Sequence, residues 1–420
     1  MSAGAGIPDA FAPGKDMMLT AEALASLLEA VTPLSERISM PLIEAAGRIL
    51  AEDVMSDRDV PPHDNAAVDG YAVFVDDLPI EGTRTLPVTG RIAAGHVFDR
   101  TARRGEALRI FTGAPVPFGP DAVIAQESCC AAGDQVILPP ARRGDNLRKK
   151  GEDIRSGDVI LSAGMRLRPQ DVGLAASIGL NRLAVVRRPR VALFSTGDEV
   201  CPPGQPAVPG AIYDANRFVL GGLLKGIGAD VADYGIVRDQ RSLLQETLTR
   251  AVAEGCDAII TSGGVSSGEE DHVKAAIEGL GALRFWRIAI RPGRPLAFGH
   301  VGGVPLIGLP GNPVACMLTF LIFARPALLR LAGAAVVAPQ YYPVTADFSF
   351  KKRIGRREWL RGSLRRDADG HLVAHPFPHE GSGILTSMVA SQGLIELPEA
   401  MAAVHPGDQV DFLPFSETLG

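Results

Sequence analysis

Between Arg190 and Gly333, short apolar runs alternate with segments whose apolar residues recur at helical spacing, and no other feature constrains the fold as much. The runs VALFS, VADYGIV, DAIIT, RFWRIAI and PLIGL read as strands, and Val219, Leu220, Leu223, Leu224 and Ile227 illustrate the helical spacing between them. Such repetition predicts a mainly parallel sheet covered by helices on both faces. Ligands of these sheets bind beyond the carboxyl ends of the strands, so the turns after VALFST and DAII are the first places to look for a site.

At 420 residues the chain exceeds one ordinary core. Residues 20–31, TAEALASLLEAV, put Leu24, Leu27, Leu28 and Val31 on one helical face, with Thr20 placed to cap. Residues 19–59 and 152–188 read as an elongated, helical and extended linker domain. From 60 to 151, runs such as YAVFV, ALRIFTG and QVILPP between Gly and Pro turns predict a mostly β domain. Residues 189–333 form the α/β unit. After Gly333 the helix signal vanishes, and REWLRGSL, HLVAHPF, LIELP and QVDFLPF predict a C-terminal β domain over 334–420. The expected fold class is multidomain α/β plus β.

A net charge of -6 without a large cationic cluster argues against nucleic acid or an anionic membrane as partner. The N-terminal stretch MSAGAGIPDAFAPGKDMM has no apolar core of signal-peptide length, and no run of about 18 apolar residues is unbroken, so a cytoplasmic location is expected. Cysteines 129, 130, 201, 256 and 316 are odd in number and form no CxxC pair, which argues against a disulfide or zinc framework. His371, His375 and His379 would share a helix face, but Pro376 and Pro378 forbid the helix.

The chemistry concentrates in turns. In CDAIITSGGVSSGEED, Gly263, Gly264 and Gly268 let the backbone approach a ligand closely, and Thr261, Ser262, Ser266 and Ser267 add hydroxyls. The carboxylates that follow, Glu269, Glu270 and Asp271, are candidate ligands of Mg2+ beside a phosphorylated ligand, although the same residues also suit a helix start. Asp198 and Glu199 after VALFST can bind a cation or cap the next segment. Asp64, Asn65, Asp69 and Gly70, and likewise Thr112 with Gly113, can be turn residues or oxyanion partners. Arg287, Arg291 and Arg294 bracket a Pro-Gly turn, three cations that either spread into solvent or gather around an anion. In LPGNPV, Asn312 sits at a helix cap with Pro313 at the first helical position, and uncapped amides there offer another anion seat.

The ordered set VPPHDNAAVDGYAV, FTGAPVPFGPDAV, RKKGEDIRSGD, RVALFSTGDEV, IYDANR, IITSGGVSSGEED, FWRIAIRPGRPLAFG and LPGNPV closely resembles the molybdopterin molybdenumtransferase family, the MoeA type to which the gephyrin E domain is also related. The resemblance runs from about Leu19 to Phe415. It implies a four-domain, elongated protein that forms homodimers, with the active site between the α/β domain of one subunit and the β domain of the other. The implied reaction inserts molybdate into adenylylated molybdopterin, with release of AMP, formation of molybdenum cofactor and a requirement for Mg2+.

By motif, the resemblance places Asp69 and Thr112 in the catalytic set from the second domain, and Glu199, Asp239 and Asp271 as the acids, and metal ligands, of the α/β domain. Arg287, Arg291 and Arg294 would offset the remaining negative charge. Ser262, Gly263, Gly264, Ser266, Pro310 and Pro313 would bind substrate, with Arg361 and Ser382 reaching in from the C-terminal domain. It leaves room for contacts with a molybdopterin adenylyltransferase and with molybdoenzyme maturation factors. The family usually carries lysine where Arg287, Arg291 and Arg294 stand and serine where Ala66 stands. Arginine serves if only charge is needed but cannot give up a proton. The alternative expectation is therefore a paralogue that carries molybdopterin or molybdenum cofactor without catalysis.

Overall fold

The computed structural model describes residues 17–264, 276 and 280–419, and for 282–286 the backbone alone. Its central sheet has six strands side by side in the order Asp230–Val237, Arg190–Thr196, Ala258–Ser262, Val304–Leu309, Pro295–Val301 and Gly281–Arg287. The first four are parallel, and the last two form an antiparallel edge.

Successive residues of a strand point to opposite faces, and here both faces are covered. Val191, Leu193 and Ile260 join one core with Leu220, Leu223 and Leu224 of the helix Asn216–Gly226. Ala192, Phe194 and Ile259 join another with Leu244, Leu248 and Ala251 of the helix Arg241–Ala253. The near-continuous apolar strands are those of a sheet buried on both sides.

The longest helical run, Pro313–Leu331, lies in the first core. It is 19 residues long with a mean hydropathy of 1.8, enough to cross a bilayer by length and composition, but 94% of it is buried inside the protein. A π-helical turn over Phe320–Ala324 divides it, just ahead of Pro326, which has no N–H to continue the ladder.

The helix Thr20–Ala30 also belongs to this core: Ala23 and Leu27 are fully buried there with Leu328 and Leu331. The sequence grouped it with the linker segments, because amphipathic spacing shows that a face is buried without showing against what. Thr20 is not the cap. Leu19 holds that position, and the Glu22 carboxylate accepts the Leu19 N–H at 3.1 Å.

Around the central sheet lie three further groups. The strand Arg37–Pro41 pairs antiparallel with Arg182–Val186, over a small core containing Leu50, Ile154, Leu161 and Leu183. A curled six-stranded sheet runs in the order Ala122–Ala125, Gly70–Val73, Ala107–Ile110, Arg84–Ile92, Gln135–Leu138 and Cys130–Ala132. A closed barrel is formed by Arg357–Arg366, Leu372–Pro376, Tyr342–Ala346, Gln409–Pro414 and Gly393–Leu397, the last pairing back to the first. Ile290–Arg291 adds to the barrel beside Arg357 and Glu358, which ties the Pro-Gly turn of the α/β region to the C-terminal barrel.

Candidate functional site

Because Arg190–Thr196, Ala258–Ser262 and Val304–Leu309 are parallel, the turns after them emerge at one edge of the sheet. There they line a cleft of roughly 1270 Å³. Of the residues singled out from sequence, Glu199, Asp239, Arg294, Ser262, Gly263, Gly264, Pro310, Pro313 and Ser382 all line it.

The turns are held against one another by contacts that motif reading did not single out. Asn216, at the start of its helix, donates from Nδ2 to Ser262 Oγ and to the Gly311 carbonyl, both at 2.7 Å, so one amide joins two loops. The buried Asp214 carboxylate accepts from Ser195 Oγ at 3.0 Å and from the Arg217 N–H and Nε at 3.1 and 2.9 Å. The available signal was IYDANR itself, an acid just ahead of a helix start. Gly263 has φ +89°, and a Cβ there would meet the Thr196 carbonyl oxygen at 2.5 Å, so only glycine lets the two turns pass this closely. Burial pushes the Cys316 thiol, which donates toward Ser262 Oγ at 3.6 Å, up to about 12, so it stays neutral.

Asn312 occupies the cap position of the helix from Pro313, but its side chain makes no capping hydrogen bond. The Val314 N–H, an anion seat only if left uncapped, donates to the Ser382 carbonyl at 3.0 Å. That contact brings the C-terminal loop into the cleft. Arg361 stands behind it, 3% exposed, donating to Ser387 Oγ at 3.0 Å and to the His379 carbonyl at 2.7 Å. Buried as it is, it holds the loop.

The three arginines do not line one space within this chain. Arg294 is exposed and lines the cleft, and among the described residues no ion pair engages it. Arg291 lies in an adjoining hollow of about 370 Å³ and is paired with Glu380 at 2.7 Å and Glu358 at 3.4 Å, so carboxylates already offset much of its charge. Arg287 is exposed and, although it ends a strand that runs in the same direction as the parallel four, it lines neither space, because that strand is the outermost of the sheet. Among the described residues, Arg294 has no ion-pair partner and Arg291 has two.

Asp69 and Thr112 meet each other rather than the cleft. The Thr112 N–H and Oγ1 donate to Asp69 Oδ1 at 2.8 and 2.7 Å, which holds the carboxyl below its usual range. Neither residue lines the cleft within this chain. Asp271 and Ser266, with Glu269 and Glu270, lie outside the described residues. Away from the cleft, Asp367, Asp369 and His371 form an exposed group at a hairpin, and the five cysteines are all free thiols.

The geometry can be set beside known proteins. Residues 18–179 match the MoeA N-terminal region (domain I and II), 192–330 a probable molybdopterin binding domain, and 343–415 the MoeA C-terminal region (domain IV). A molybdopterin molybdenumtransferase of Haemophilus influenzae is 37% identical over 409 residues, 96% of this chain and 100% of that protein. Molybdopterin molybdenumtransferase 2 of Mycobacterium tuberculosis is 34% identical over 397 residues, 92% and 96% of the two chains. The crystal structure of the molybdopterin biosynthesis MoeA protein from Pyrococcus horikoshii OT3 superposes with a TM-score of 0.82 at 30% identity, covering 95% of this chain and all of that one. The chain therefore belongs to the MoeA family of molybdopterin molybdenumtransferases.

Proposed function

We propose that the cleft binds adenylylated molybdopterin and molybdate, transfers the metal to the pterin dithiolene and releases AMP. One observation carries the reading: the glycine turn 263–264, the exposed guanidinium of Arg294 and the carboxylates Glu199 and Asp239 line a single open cleft. The Gly263 N–H donates to the Leu309 carbonyl at 3.1 Å, so the turn offers a close backbone approach, and Arg294 a fixed cation, to a pyrophosphate and an oxyanion dianion; held in place, these need little reorganisation as bonds change.

Two carboxylates on an open cleft suit a hard divalent cation. Glu199 and Asp239, with Asp271 by sequence, would hold Mg2+, which supplies neutralising charge beside the pyrophosphate. The chain's own groups do the positioning. Arg294 stays protonated at ordinary pH, so it contributes charge and directed N–H donors rather than a proton. Asn216 keeps the two anion-facing turns in register, and Ser382 enters the cleft on a loop that Arg361 holds. Asp69 and Thr112, remote from the cleft in one chain, are proposed to complete the site from the second subunit of a homodimer acting in the cytoplasm.

Reconstitution of an apo-molybdoenzyme with adenylylated molybdopterin and the purified chain tests the proposal, with molybdate and tungstate compared. Activity that needs both molybdate and the chain supports it. Retention of the pterin nucleotide without activation of the recipient would identify a carrier instead.

A further inference from the structure

The cleft is chemically two-ended. Gly293, Arg294 and Ser382 are shared with the adjoining arginine-lined hollow and make one end polar and cationic. Ile212 and Tyr213 line the same cleft while remaining 57% and 52% exposed. Tyr213 carries the one aromatic ring among the described lining residues.

That ring is held, not loose. Val200–Cys201 and Ile212–Tyr213 form a small parallel ribbon, and the Ile212 N–H donates to the Glu199 carbonyl at 2.8 Å. The Asp214 N–H donates to the Cys201 carbonyl at 3.0 Å, and the Tyr213 hydroxyl donates to the Gln205 carbonyl at 3.1 Å. The hydroxyl thus faces the ribbon's own loop, and the ring is left as apolar surface at a polar site. A large aromatic side chain kept half exposed in the same cleft as the glycine turn and Arg294 is matched by a ligand that joins an anion to a flat heterocycle.

We infer that Tyr213, with Ile212 beside it, is the stacking seat for the nucleobase of the nucleotide substrate, its phosphates lying toward Gly263 and Arg294. The assignment rests on the reading of the cleft as a nucleotide site and adds the residue that recognises the base. Tyr213 acts here through its π-face. Stacking of a base on an aromatic side chain is sequence-tolerant and is lost on truncation to alanine.

The test measures binding of AMP and of inorganic pyrophosphate to the full chain by calorimetry. Tyr213→Ala is expected to weaken AMP roughly tenfold or more and to leave pyrophosphate unchanged. Tyr213→Phe, which keeps the ring and loses the bond to Gln205, is expected to stay within about threefold of the parent for both. Unchanged AMP affinity in Tyr213→Ala, equal loss of both ligands, or a loss in Tyr213→Phe as large as in Tyr213→Ala overturns the inference. The proposed reaction fails separately: Tyr213-dependent AMP binding in a chain that does not couple molybdate to AMP release keeps the base seat and removes the insertion chemistry.

Discussion

The two ends of the central parallel sheet carry similar residues and treat them in opposite ways. At the amino end, Arg187 grips both oxygens of Asp257 at 2.6 and 2.7 Å and Glu36 at 2.7 Å, and the Arg190 N–H donates to Asp257 as well. Glu254 is engaged by Arg190, Arg250 and Tyr234. At the carboxyl end, Glu199 and Arg294 are exposed on an open cleft, and no ion pair among the described residues satisfies either. Charged groups satisfied by neighbours stabilise a fold, whereas charged groups left facing a cleft are available to a ligand. The difference separates the site from the scaffold more sharply than residue type does.

The contrast can be broken by exchanging loss of activity for loss of stability. Glu199→Ala should lower molybdate-dependent AMP release by about a hundredfold or more, the effect of removing one preorganised electrostatic contact. Its thermal midpoint should stay within about two degrees of the parent, because the side chain is exposed. Asp257→Ala should do the reverse. It removes the two-pronged partner of Arg187, whose side chain is 29% exposed, leaving Glu36 to pair with it, and should lower unfolding free energy by roughly 2 kcal/mol in chemical denaturation while turnover per folded molecule changes less than twofold. A large activity loss in Asp257→Ala would erase the distinction.

A third network, in the curled sheet, sharpens it through pH. The Arg100 guanidinium, with Thr89 and the Arg103 N–H, holds the Glu106 carboxyl down to about 2 from an unfolded value near 4.5. A depressed carboxyl contributes stability above its unfolded value and loses it as pH falls toward its folded one. Stability should therefore decline between about pH 5 and pH 2, and Glu106→Gln should flatten that decline by roughly 1–2 kcal/mol. The smallest effect is expected from Arg294→Lys, which keeps a cation at the cleft and should retain turnover within about fivefold, whereas Arg294→Ala should not.

Much of this contrast was written locally. The parallel strands and their turns followed from alternation and from Gly-Ser-acid patterns, because a parallel sheet places its turns on one edge whatever the distant sequence. The helix Thr20–Ala30 was legible as a helix, but its place in the α/β core was not, since the surface it covers is supplied by Phe320–Ala324 and Arg325–Leu331, about 300 residues away. The pairing of Arg291 with Glu358 and Glu380 joins segments about 70 to 90 residues apart and has no local signature. The same holds for the Val314 N–H, whose use by Ser382 depends on the barrel meeting the sheet edge. Asn216 stood inside a recognised motif, yet its bridging role needed the separation of two loops to be known.

The central claim is that this cleft couples molybdate to cleavage of a pterin nucleotide. The most direct measurement is AMP release from adenylylated molybdopterin by the purified chain, with and without molybdate and with Mg2+ present or chelated. The account predicts release that requires molybdate, requires Mg2+ and falls about a hundredfold in Glu199→Ala. Release at the same rate without molybdate would contradict it, and so would full release after Mg2+ is removed.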